Sequence, residues 1–177
     1  MFKKILVVVL ILALAVVVVV QFQPAQFRIE RSTTIRASAA DVFAQVNDLH
    51  KWEAWSPWAK RDPAMKQTYE GPPAGTGAVS AWSGNKDVGE GRMTITESQT
   101  NELVRIKLEF LKPFKATNVS EFKIQPQGDQ SMVTWSMSGE NDFMMKAVHL
   151  VMSMDKMVGN DFEKGLADLK SLTEVKK

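Results

Sequence analysis

Cysteine is absent from the 177-residue sequence, which excludes disulfides, thiolate metal ligands and a cysteine nucleophile while leaving the compartment open. Histidine is nearly absent too. His50 and His149 are the two present, and a zinc site needs three or four ligands at workable spacing, so neither a metal nor a cofactor is expected. An excess of one charge sign is also missing. Of 22 basic residues, Lys3 and Lys4 fall in the first twenty positions, which hold no acid, so the remainder carries equal numbers of bases and acids. Such a body lacks the basic footprint that nucleic-acid binding requires. The glycines at 71, 75, 77, 84, 89 and 91 have no Gly-Lys-Ser/Thr after them; they read as turns, not as a phosphate loop. With 45% hydrophobic and 24% charged residues, the chain is expected to be an ordinary globular protein of single-domain length.

What the sequence does have is one long apolar run. Ile5 to Val20 is unbroken and would span about 24 Å as a helix against a hydrocarbon core of about 30 Å. Snorkelling of Lys3 and Lys4, with Phe2 and Phe22 at the interfaces, closes that gap. A cleaved signal peptide is the rival reading, but the cleavage chemistry is poor: Ala13-Leu14-Ala15 lies inside the run, and Gln23-Pro24-Ala25 places a bulky residue where a small one is wanted. The expectation is a membrane anchor and short tether over 1–24 and a folded domain over 25–177. Lysines ahead of the run favour the domain on the non-cytoplasmic side.

Within the body, alternation predicts strands over Phe27–Ile35, Met65–Glu70, Gly77–Ser83, Val88–Ser98, Glu102–Leu111, Phe114–Gln125 and Ser131–Ser138. Ser38 is placed to cap a helix running to Val46, and Trp52, Trp55 and Trp58, spaced by three, predict a second short helix. Charged residues such as Arg105, Lys107 and Glu109 alternate with Val104, Ile106, Leu108 and Phe110, so one face of an antiparallel sheet is solvated and the other covered. From Asp142 onward, Met144, Val148, Val151, Val158, Phe162, Leu166, Leu169 and Leu172 predict one long amphipathic helix, with Gly159-Asn160 as its kink. The resulting α+β order, β-α-α-β6-α behind one N-terminal transmembrane helix, requires a sheet curved around the closing helix.

This order resembles the helix-grip superfamily known as SRPBCC, which includes START domains, plant pathogenesis-related lipid binders and bacterial polyketide cyclases. The strings Trp52-Glu53-Ala54-Trp55-Ser56-Pro57-Trp58, Ala81-Trp82-Ser83-Gly84-Asn85, Gly89-Glu90-Gly91-Arg92-Met93 and Thr134-Trp135-Ser136-Met137-Ser138-Gly139 are similar to a bacterial polyketide cyclase/dehydrase branch, over about residues 27 to 172. The resemblance implies an internal apolar cavity. It transfers no catalytic residue, since fold does not carry chemistry.

Inward parity and residue type nominate Trp58, Trp82, Met93, Phe110, Trp135, Met137 and Met152 as ligand-binding residues, with access through loops near Gly71–Gly75 and Asn85–Gly89. The closing helix is rich in methionine, at positions 144, 145, 152, 154 and 157, a side chain suited either to a cavity wall of changing shape or to filling core gaps. The expected function is a membrane-tethered domain binding a hydrophobic small molecule or lipid. Two alternatives stand beside it. A cyclase- or dehydrase-type enzyme would need a buried acid of raised pKa, for which Glu90, Asp142 and Asp62 are the candidates. An envelope protein-interaction module would instead have a filled interior and an exposed apolar patch.

Overall fold

The computed structural model describes residues 2–174, the side chains of His149 and Val151 excepted. Helix α1 (Phe2–Gln21) is apolar all round, with a mean hydropathy of 3.0, and only Val20 is buried. It is long and apolar enough to cross a membrane. Strands β1 (Gln26–Ile35), β2 (Lys66–Glu70), β3 (Val79–Ser83), β4 (Glu90–Gln99), β5 (Leu103–Lys112), β6 (Ala116–Gln127) and β7 (Gln130–Glu140) form one curved antiparallel sheet in the order β1-β7-β6-β5-β4-β3-β2. Every strand expected from alternation is present, displaced by a residue or two at its ends.

Between β1 and β2 lie α2 (Ala39–Val46) and a single 3-10 segment, Leu49–Ala54. Ser38 caps α2 as its position predicts, accepting from the Asp41 amide at 3.1 Å. The register puts Ile29, Val133, Trp135, Met137, Ser120, Phe122, Ile106, Leu108, Met93 and Ser80 on the concave face. The convex face carries ion pairs, among them Arg105 with Glu97 and Glu121, as expected of a solvated face.

The closing segment departs from expectation. It is two helices, α3 (Phe143–Val151) and α4 (Met154–Glu174), interrupted at Met152, whose backbone is extended. Ser153 starts the second helix, its hydroxyl accepting from the Lys156 amide at 3.3 Å. The apolar stripe continues through Met152, so periodicity alone conceals the second start signal. Only α4 fills the concavity, burying Phe162, Leu166 and Leu169, while α3 turns away and packs on the end of α1.

Helix α4 runs unbroken through Gly159. That glycine lets the Arg31 guanidinium approach the helix backbone, and Gly165 does the same for Trp135, whose ring would lie 2.7 Å from an added Cβ. Arg31 ties β1 to the first half of α4 through Asp155 at 3.0 Å and Glu163 at 2.7 Å. At the far end, Lys170 donates to the Thr34 carbonyl and Glu174 accepts from the Arg36 amide.

Candidate functional site

The concave face is filled at one side and hollow at the other. Trp135 stacks on Phe162 and on Phe122, with centroids 4.1 and 4.7 Å apart, and Trp52, Trp55 and Trp58 meet it edge-on at about 6 Å. These offset and edge-to-face geometries are those aromatic quadrupoles favour. Trp52 and Trp55 thus anchor the β1–β2 connection onto the sheet. Trp52 donates its indole N–H to the Val46 carbonyl at 3.1 Å, and Trp135 donates to the Ser120 hydroxyl at 2.9 Å.

Beside this cluster, toward β2–β5, lies a cavity of about 320 Å³. Trp82, Met93, Leu108 and Phe110 line its sheet side, and Val158 and Phe162 its α4 side. Trp82 meets Phe110 edge-on at 6.0 Å and is held by an N–H bond to the Val88 carbonyl at 3.1 Å. Its ring lies over Gly91, where a Cβ would overlap the indole. Only glycine leaves room for this approach.

Few polar groups face the hollow: Ser56, Ser80, Ser120, Gln67 and the half-buried Asp161, which Arg61 neutralises. Arg61, Lys86, Asp87, Lys112 and Pro113 are lining residues that are also exposed, and they mark its mouth. The segment after Trp58 is clasped to α4 by Lys60–Asp168 at 2.7 Å and, at the cavity itself, by Arg61–Asp161. A wider trough of about 570 Å³ crosses the ends of β1, β6 and β7, lined by Phe27 and otherwise mainly by polar and small residues such as Gln26, Asn118 and Ser138.

Of the residues nominated from sequence, Trp58, Trp82, Met93, Phe110, Trp135 and Met137 all line the cavity. Met152 does not. It sits in the break between α3 and α4, 46% exposed. Met144 is exposed and Met154 packs against the core, so of the closing-segment methionines only Met157 reaches the cavity. The Asn85–Gly89 loop borders the mouth as expected, whereas Gly71–Gly75 lies at the opposite end of the sheet, where the Gly75 amide donates to Asn47. Gln67 and Ser80 were missed because polar residues on short strands carry no inward signal until register is known. Leu108 was legible in the β5 alternation.

The acids nominated for proton transfer have other partners. Lys112, at 2.9 Å, holds the Glu90 carboxyl below its ordinary range, the opposite of what a proton donor at neutral pH needs. Asp142 caps α3 through the Met145 amide at 2.7 Å. Asp62 accepts from the amides of Ala64 and Asn85, fixing the turns beside the mouth. His50 lies outside the cavity lining, bonded to Asp48 at 3.0 Å; the His149 side chain lies outside the described residues. Among the described residues, no three His, Asp or Glu gather where a metal ion could be held.

A family model described as "Polyketide cyclase / dehydrase and lipid transport" matches residues 26–174. Three solved structures share the fold at low identity. A Mesorhizobium loti protein is 12% identical, with a TM-score of 0.63 over 85% of this chain and 99% of its own. The Aha1 dimer of Colwellia psychrerythraea is 14% identical at 0.60, over 85% and 98%. Major latex-like protein 151 of Panax ginseng is 15% identical at 0.57, over 85% and 99%. No curated protein matches the chain.

Proposed function

The chain belongs to the polyketide cyclase / dehydrase and lipid transport family, and from that premise we propose that it is a membrane-tethered binding domain for a hydrophobic small molecule or lipid. The observation that carries this reading is the cavity of about 320 Å³ walled by Trp82, Phe110, Met93, Leu108 and Phe162. Ligand sites are typically ~300–1,000 Å³, mostly apolar, with a few polar groups that orient the ligand. Ser80, Ser120 and Gln67 supply those groups. Burying an apolar molecule here releases about 25 cal/mol per Å² of surface removed from water, and no bond has to be made or broken. The helix α1 supplies the tether.

The test is mass spectrometry of apolar molecules that co-purify with the full-length protein in detergent, compared with Leu108→Trp, which places an indole in the hollow. An apolar species in fixed stoichiometry with the wild type and at least tenfold depleted in the variant supports binding in this cavity. Equal loads in both proteins, or none in the wild type, would refute it.

A further inference from the structure

Outside α1, every large apolar side chain that is exposed among the described residues belongs to the tether, the end of β5, the β5–β6 turn, the first half of β6, or the stretch from α3 into the first turn of α4. Leu111 projects from the end of β5 and Phe114 from the turn after it, Phe143, Met144 and Leu150 from α3, and Met157 from α4; Phe114 is 71% exposed and Met144 64%. The register shows that these segments share one end of the sheet. Gln26 pairs Glu140, Phe110 pairs Ala116, and Glu90 pairs both Lys112 and Ser83. The turns at the opposite end, near Gly75, Asn101 and Gly128, contribute none.

The apolar end is also the end from which α1 emerges. Four residues, 22 to 25, join α1 to β1, a reach of at most about 17 Å when fully extended, and here the tether is pinned down. Asn141 donates its backbone N–H to the Ala25 carbonyl at 2.8 Å and its side-chain amide to the Pro24 carbonyl at 3.2 Å. Lys146 of α3 reaches the Gln21 carbonyl at 3.5 Å, and Val20 is 1% exposed. The mouth of the cavity, at Lys86–Gly89, Lys112–Pro113 and Met157, belongs to this same end.

We propose that this end of the domain rests on the bilayer that α1 enters, with α3 lying along the interface and the β5–β6 turn dipping beside it, so that the cavity mouth faces lipid. The inference rests on α1 being a retained membrane helix. A short helix with exposed apolar residues binds an interface by burying them at the headgroup–acyl boundary. Lysines and acids are both present at this end, among them Lys112 paired with Glu90, so a neutral bilayer suffices. A membrane-dissolved molecule then enters the cavity without crossing bulk water.

The absence of cysteine makes the test direct. Single-cysteine variants of the full-length protein, Phe114→Cys, Met144→Cys, Met157→Cys, Asp129→Cys and Leu12→Cys, are spin-labelled and reconstituted in phosphatidylcholine vesicles. Collisional access to oxygen and to a water-soluble nickel chelate is then measured. Labels at 114, 144 and 157 should favour oxygen several-fold over the label at 129, approaching the label at 12. Aqueous values at 114, 144 and 157, with position 12 in lipid, would overturn the docking while leaving the anchor standing. An aqueous value at position 12 would remove the anchor and the docking with it.

Discussion

The indole of Trp135 lies parallel to the ring of Phe162, 4.1 Å between centroids and 10° between planes, which makes this pair the main aromatic junction between the sheet and α4. Trp135 is 2% exposed and also stacks on Phe122. Although it forms part of the cavity wall, most of its surface is core. Trp135→Ala should therefore lower stability by about 3–5 kcal/mol, the range for truncating a packed aromatic residue. Chemical denaturation of the full-length protein checks this. A loss well below that range would show the ring facing open space, a wall residue more than a core one.

Gly91 gives a second expectation. Adding a methyl group there brings a Cβ into the Trp82 ring and to 2.6 Å from the Glu109 carbonyl. Movement of the indole into the hollow would relieve that overlap at the expense of its bond to Val88. Gly91→Ala should destabilise by about 1–3 kcal/mol, as overpacking does, and should also reduce the co-purifying apolar species. An unchanged load alongside lost stability would show that Trp82 moves away from the cavity.

The third concerns acid. Hydrogen bonds from Arg31 hold the Asp155 carboxyl below its ordinary value of 3.8. A carboxylate with a depressed folded-state pKa contributes stability that is complete above its unfolded pKa and disappears as pH falls through the folded one. Asp155→Asn should therefore be less stable than the wild type at pH 6, and the difference should shrink as pH drops below 3.8. Denaturation midpoints of both proteins across that window decide the matter. A difference that stays constant to the lowest pH would mean that the pair contributes through shape, not charge.

Much of this architecture was legible because its signals are local. Alternation in β4, β5 and β7 marked the concave residues Met93, Ile106, Phe110, Trp135 and Met137, since a period of two assigns a face without reference to any neighbour. The helix break at Met152–Ser153 was not, because an apolar stripe continues through it while the chain changes direction. Met152 was accordingly assigned to a wall it does not reach.

The sequence by itself determined the apolar N-terminal helix, the succession of strands, the solvated convex face and the aromatic inventory of the interior, all set by the hydrophobic pattern along the chain. Only the tertiary structure decided where the interior is full and where it is hollow. Stacking of Trp135 on Phe122 and Phe162 closes one side of the grip, and Trp82 seated on Gly91 holds the other open. The strand register then gathers the cavity mouth, the exposed face of α3 and the end of α1 at one end of the sheet. Packing and register join residues far apart in the chain, and no local periodicity encodes which of them will meet.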